Sequence, residues 1–349
     1  MRRLPVTALA CAALASAACT TVLARALVYG PNLEAFAYPY PVRFYLLRTQ
    51  AQSNSMAYMD AAPAGAGPGA GRTVVLLSGT RFCGAAWAPT IGRLSRAGFR
   101  VVVPDQLGLC KSSKPVNYQY SFQQLALNTR RLLGSAAAGR FILVGHGMGG
   151  MLAVRYALMF PSDVTELILV DPLGLEDWKA QGVLYLTIDE RYALKLESTA
   201  ARIERYERDN DYAGRWKPAY DLWVRMLASL YTGGGRERYA WNQALITDMI
   251  FTQPVVYEFG RLSMPTVLIV GSLDRAQPFA NMTPPAIAGR LGDEPALARR
   301  AAARIPDARL IELPGVGHVP QVEAPARFNE ALLQAIEHPP GASPPAPPR

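Results

Sequence analysis

Apolar residues along the chain fall into two rhythms. Short runs that are aliphatic at nearly every position occupy residues 73–77, 100–103, 141–144, 166–170, 266–270 and 309–313. An unbroken apolar run predicts a strand buried on both faces. Helical spacing takes over in 85–97, which ends at Gly98, in 120–133, begun near Ser121 and closed by Gly134, and in 149–160, stopped by Pro161. Serine can cap a helix start, and proline lacks the N–H that continuation needs. A last helix is predicted over 322–337. This alternation of strand and helix predicts an α/β fold with a mostly parallel, doubly wound sheet. Residues 43–50 and 55–60 supply an antiparallel hairpin ahead of it, and the Ala/Gly/Pro-rich stretch 61–71 is a loop between strands.

The strand rhythm stops between Pro172 and Met264. Helical, charged sequence replaces it, with eight of the sixteen Tyr and four of the five Trp. An insertion there forms a helical cap over the carboxyl ends of the strands, where open α/β sheets bind ligands. Its aromatics either line an apolar pocket or fill the cap's own core. The chain thus divides into a first core segment (40–171), a cap (172–264), a second core segment (265–337) and a Pro-rich tail (338–349) that cannot fold compactly and carries His338.

Composition narrows the function classes. Half of the 349 residues are hydrophobic and 18% are charged, which excludes a wholly disordered or fibrous chain. Net charge is +9, but the 36 basic residues are scattered and only five are Lys. With no basic block there is no footprint for nucleic acid. The first 18 residues read as an export signal, with Arg2 and Arg3 ahead of an apolar core too short to span a bilayer. Ser16-Ala17-Ala18-Cys19 resembles a bacterial lipobox, in which Cys19 would be lipidated. The expectation is an exported protein, in the periplasm or held at the outer membrane by an N-terminal lipid. The alternatives are plain cleavage or an uncleaved anchor running to Tyr29 despite Arg25. Cys11 would leave with the signal. Cys83 and Cys110 then form an even pair that either bridges or stays as two buried thiols.

Residues 141–150 read Phe-Ile-Leu-Val-Gly-His-Gly-Met-Gly-Gly. A strand running through a glycine-rich turn straight into a helix is the context of a nucleophile elbow. Here the chain resembles the α/β-hydrolase superfamily, whose elbow commonly reads Gly-His-Ser-Met-Gly-Gly. The resemblance spans about residues 73–337, cap position included. One departure outweighs the matches: the family's nucleophilic serine position is Gly147. Glycine tolerates the strained backbone of such a bend, but it has no side chain with which to attack a carbonyl. The fold survives the change and the acyl-enzyme route does not.

The resemblance assigns the remaining partners. Asp274, after the strand ending Val270-Gly271, matches the triad acid, although a turn-forming role also fits it. His318, in Gly317-His318-Val319-Pro320, matches the general base, and the order elbow–acid–histidine is the family's. The backbone N–H groups of Thr80 and Met148 are the implied oxyanion donors. Ser78-Gly79 stands where members often carry His-Gly. Asp105 is read as a loop-structuring residue and His146 as packing beneath the turn. Cys83, Cys110 and Ser78 are the candidates for a displaced nucleophile.

The expected function is weak, non-covalent turnover of an ester-like or other small apolar carbonyl compound, with the Asp274–His318 pair activating water. The alternative is an inactive hydrolase-fold protein that binds an apolar ligand or a protein partner. The sequence carries no metal-ligand spacing or phosphate-binding loop, so no cofactor is expected. The expected partner is a small apolar or acyl-containing molecule.

Overall fold

The computed structural model describes residues 29–341. The export signal, Cys19 and tail residues 342–349 lie outside the described residues. Among the described residues no helix is long and apolar enough to cross a membrane.

Eight strands form one sheet: β1 (Val42–Thr49), β2 (Gln52–Ala61), β3 (Thr73–Leu77), β4 (Arg100–Pro104), β5 (Phe141–Gly147), β6 (Val164–Pro172), β7 (Thr266–Gly271) and β8 (Ala308–Leu313). Their spatial order is β1-β2-β4-β3-β5-β6-β7-β8. The hairpin β1–β2 is antiparallel and joins antiparallel to β4, while every pairing from β4 to β8 is parallel. Side-chain alternation along β3 shows how the apolar runs serve two cores. Val74 and Leu76 pack with Trp87, Ile91 and Leu94 from one side. Val75 and Leu77 belong to the opposite cluster, with Leu125, Leu132 and Met151.

Crossover helices cover both faces: α1 (Ala88–Arg96), α2 (Phe122–Ser135) and α3 (Met148–Met159). The Ser121 side chain accepts from the Gln124 N–H and so caps α2, which runs through Gly134 rather than closing there. Between β6 and β7 lie α4 (Ile188–Leu196), α5 (Ala200–Tyr206), a π turn at Glu207–Asp211, α6 (Asp221–Leu230) and α7 (Arg236–Thr252). Phe251 of α7, and Trp178 ahead of α4, both meet Phe279 in the segment after β7, which carries the short helix α8 (Pro285–Ala288).

Two further features depart from expectation. A helix, α9 (Glu294–Arg304), fills the crossover from β7 to β8, because a parallel pair needs such a connection. The last helix is broken into α10 (Pro320–Glu323) and α11 (Pro325–Glu337): Pro325 disfavours helical geometry at Ala324.

Cys83 and Cys110 are bridged, with Cα atoms 5.6 Å apart. The bond ties the loop after β3 to the loop after β4. Asp105 organises the same junction, accepting from the Gly84 N–H (3.0 Å), the Lys111 N–H (3.2 Å) and the Tyr38 hydroxyl (2.6 Å). Its loop-structuring role is thereby accounted for. With both sulfurs in the bridge, neither cysteine is a free thiol to stand in as nucleophile.

Candidate active site

The strand-to-helix bend after β5 is crowded everywhere but at its tip. A Cβ on Gly145 or Gly149 would drive into backbone carbonyls, of Gly149 and Leu77 respectively. One on Gly150 would meet the Pro172 side chain at 2.6 Å. These three positions therefore need glycine so that strand, helix and neighbouring strands can close together. Gly147 differs. Its backbone lies at φ 57°, ψ −121°, yet a Cβ there would meet only the His318 Nε2 at 3.5 Å and the Gly79 Cα at 3.8 Å. Those are ordinary contact distances. A side chain at 147 has room and would point at an imidazole.

That imidazole is held from several sides. The His318 Nδ1–H donates to Asp274 Oδ2 at 2.9 Å, and both residues are buried. The other Asp274 oxygen accepts from the Ala276 N–H at 2.9 Å. The His318 N–H donates to the Asp211 carbonyl at 2.9 Å, and the His318 carbonyl accepts from His146 Nε2 at 2.9 Å. Burial disfavours a charged imidazole, but the Asp274 carboxylate, its hydrogen bond and then Asp211 outweigh that and raise the His318 pKa. Burial likewise works against the Asp274 anion, while His318 and hydrogen bonds keep its pKa below the ordinary carboxylate value.

The structure thus brings Gly147, His318 and Asp274 into one constellation from three separate loops. Thr80 follows Gly79, whose Cα faces the tip of the bend. Met148 opens α3, so its N–H has no acceptor within the helix. Ser78 is turned away, its hydroxyl accepting from Trp87 Nε1 at 3.0 Å. His146 lies beneath the bend with edge-on contacts to Trp87 and Phe82.

Two contributors escaped the sequence reading. Asp171, near the end of β6 at φ 39°, accepts from the Gly271 N–H at 2.8 Å and lies against Asp274. Burial, then the Asp274 charge and hydrogen bond, raise its pKa well above the ordinary value, which favours the neutral acid beside the Asp274 carboxylate. Ligand atoms of Asp171, Asp274 and His318 all lie within 4.8 Å of one another. Each member of this trio has a partner within the protein: His318 Nδ1 pairs with Asp274, and Asp171 accepts from the Gly271 N–H. The second contributor is an ion pair from the cap. The Asp211 carboxylate accepts from Arg81 Nε at 3.0 Å and from Arg81 Nη2, and the guanidinium lies 4.2 Å from the Tyr206 ring centre. Neither contributor leaves a local pattern, because the partners lie 100 to 130 positions apart.

Residues 74–331 match the model of the alpha/beta hydrolase family. The chain belongs to that family. A solved structure described as "a probable hydrolytic enzyme" from Pseudomonas aeruginosa is 50% identical, superposes with a TM-score of 0.87, and is matched over 90% of this chain and 99% of that one. A "Putative carbamate hydrolase RutD" from Variovorax paradoxus is 36% identical over 105 residues, 30% of this chain and 40% of that protein. One of the same description from Stutzerimonas stutzeri is 25% identical over 279 residues, 76% of this chain and 91% of that protein. In this family frame, Gly147 lies where the strand–turn–helix bend presents its residue to the histidine loop.

Proposed function

We propose that this family member hydrolyses an ester-like or related small carbonyl substrate without a covalent intermediate. His318, braced by Asp274, acts as the base on a water lodged where the 147 side chain is missing. The observation that carries this reading is the open position at Gly147, with room for a Cβ 3.5 Å from His318 Nε2. The attacking water loses a proton to Nε2, its oxygen forms the bond to the carbonyl carbon, and the backbone N–H groups of Thr80 and Met148 receive the developing oxyanion. Collapse expels the alcohol, which takes the proton back from His318. Ser-His-Asp sites stripped of a triad member keep roughly 10³–10⁴-fold acceleration over water, so turnover is slow. The names of the relatives as hydrolases support the reaction class. The 83–110 disulfide, a bond suited to oxidising compartments, supports export guided by the first 18 residues, with Cys19 lipidated.

The test uses short- and long-chain p-nitrophenyl esters. The parent should turn over slowly without a burst and lose that turnover in His318→Ala. Gly147→Ser should gain a burst and at least about 10²-fold in rate, at a strain cost of about 1–3 kcal/mol. Equal rates for parent and His318→Ala would overturn the reading and favour a binding role.

A further inference from the structure

A cavity next to the bend, adjoining it through Thr80 and through Leu173, whose N–H donates to the Gly147 carbonyl, is unevenly charged. It encloses about 250 Å³, below the roughly 300–1,000 Å³ of pockets for drug-sized ligands. Thr80 and Arg81 line its base, and Leu227, Ile250 and Phe279 give it apolar walls. Three basic side chains line it, Arg81, Lys195 and Arg202, and no acidic one does. Two of the three already have partners: Arg81 pairs with Asp211, and Arg202 with Glu197 at 2.6 Å. The Lys195 ammonium has neither an ion pair nor a hydrogen bond among the described residues. The residue is half-buried in the last turn of α4, where the helix dipole favours a cation. Burial and the neighbouring guanidiniums of Arg81 and Arg191 push its ammonium down to about 8. A cation there, short of water and facing other cations, lacks a counterion.

We propose that the cavity takes a short substrate bearing a carboxylate, whose negative charge is received by Lys195 while its carbonyl sits at Gly147 and Thr80. This deepens the proposed function and rests on it for the placement of the carbonyl. A single unpaired ammonium matches a monoanion. A phosphate group would call for several converging donors, and both guanidiniums here are engaged. The apolar part of the lining, Leu227, Ile250 and Phe279, suits a short methylene chain.

Calorimetric titration with 5-oxohexanoate and its neutral counterpart 5-oxohexanamide tests this without requiring turnover. The carboxylate should bind the parent about tenfold or more tightly than the amide, the size expected for one hydrogen bond to a charged group. Lys195→Met should erase that preference, and Lys195→Arg should keep it. Thermal melts check that both variants fold. Equal affinities in the parent, binding of neither compound, or a preference that survives Lys195→Met would overturn the proposal. Turnover of neutral p-nitrophenyl acetate and its loss in His318→Ala report on the reaction alone, so either idea can fail without the other.

Discussion

Two imidazoles flank the same bend with ring centres 5.1 Å apart, and their surroundings drive them in opposite directions. His146, on the side packed against Trp87 and Phe82, is pushed down to about 3 by burial and then by His318. It stays neutral and spends its one N–H on the His318 carbonyl. His318, buried as deeply, is raised, because Asp274 and Asp211 reach it and no carboxylate is hydrogen-bonded to His146. Burial alone therefore makes a packing residue, and a carboxylate behind the ring makes a base.

Replacing Asp274 by Asn strikes that contrast hardest. In the faster Gly147→Ser background, turnover should fall about 10²- to 10⁴-fold, as expected when the orienting acid of a Ser-His-Asp site is lost. Under the proposed reaction His318 serves as base only when neutral, so the parent's rate should climb with pH through a limb above the ordinary histidine value of 6.5. Without the carboxylate, burial dominates and the limb should move below 6.5. A limb that stays put would remove Asp274 as the cause of the contrast. The same linkage acts on stability. A raised His318 contributes fully below the ordinary value, and the contribution is lost as pH rises through the folded value.

Asp171 sharpens the comparison more gently. Asp171→Leu deletes a hydrogen bond to a carboxylate worth about 1.5–3 kcal/mol, so a loss of about tenfold with a shifted pH limb is expected. Asp171→Asn, which keeps a donor, should restore both. If Leu and Asn give the same pH limb, Asp171 serves packing alone. Least should follow from His146→Gln. It retains a donor toward the His318 carbonyl, so a melt should show a loss of about 1 kcal/mol and the pH–rate limb should not move.

The sheet was readable because its central strands are apolar on both faces, a pattern that needs no partner to be recognised. Helix α9 was not, since Leu297 is the one large aliphatic residue it buries, beside Pro295, two alanines and the carboxyl-bearing Glu294. Gly147, Asp274 and His318 stood out because each lies in its own strand-end loop with a local signature. Asp171 looked like the end of a strand. Its meaning comes from the Gly271 N–H across the sheet and from Asp274, which sequence spacing does not encode. The cysteine pair was undecidable by spacing alone, since closure depends on two loops from neighbouring strands meeting.

The attachment of the cap to the histidine loop has a consequence for how the molecule opens. The Asp211 carbonyl receives the His318 N–H, and a Cβ on Gly317 would come within 2.5 Å of that same oxygen. Lifting the cap at Asp211 would take from the histidine loop one of its main-chain hydrogen bonds, so the position of the cap and the seating of that loop are mechanically linked.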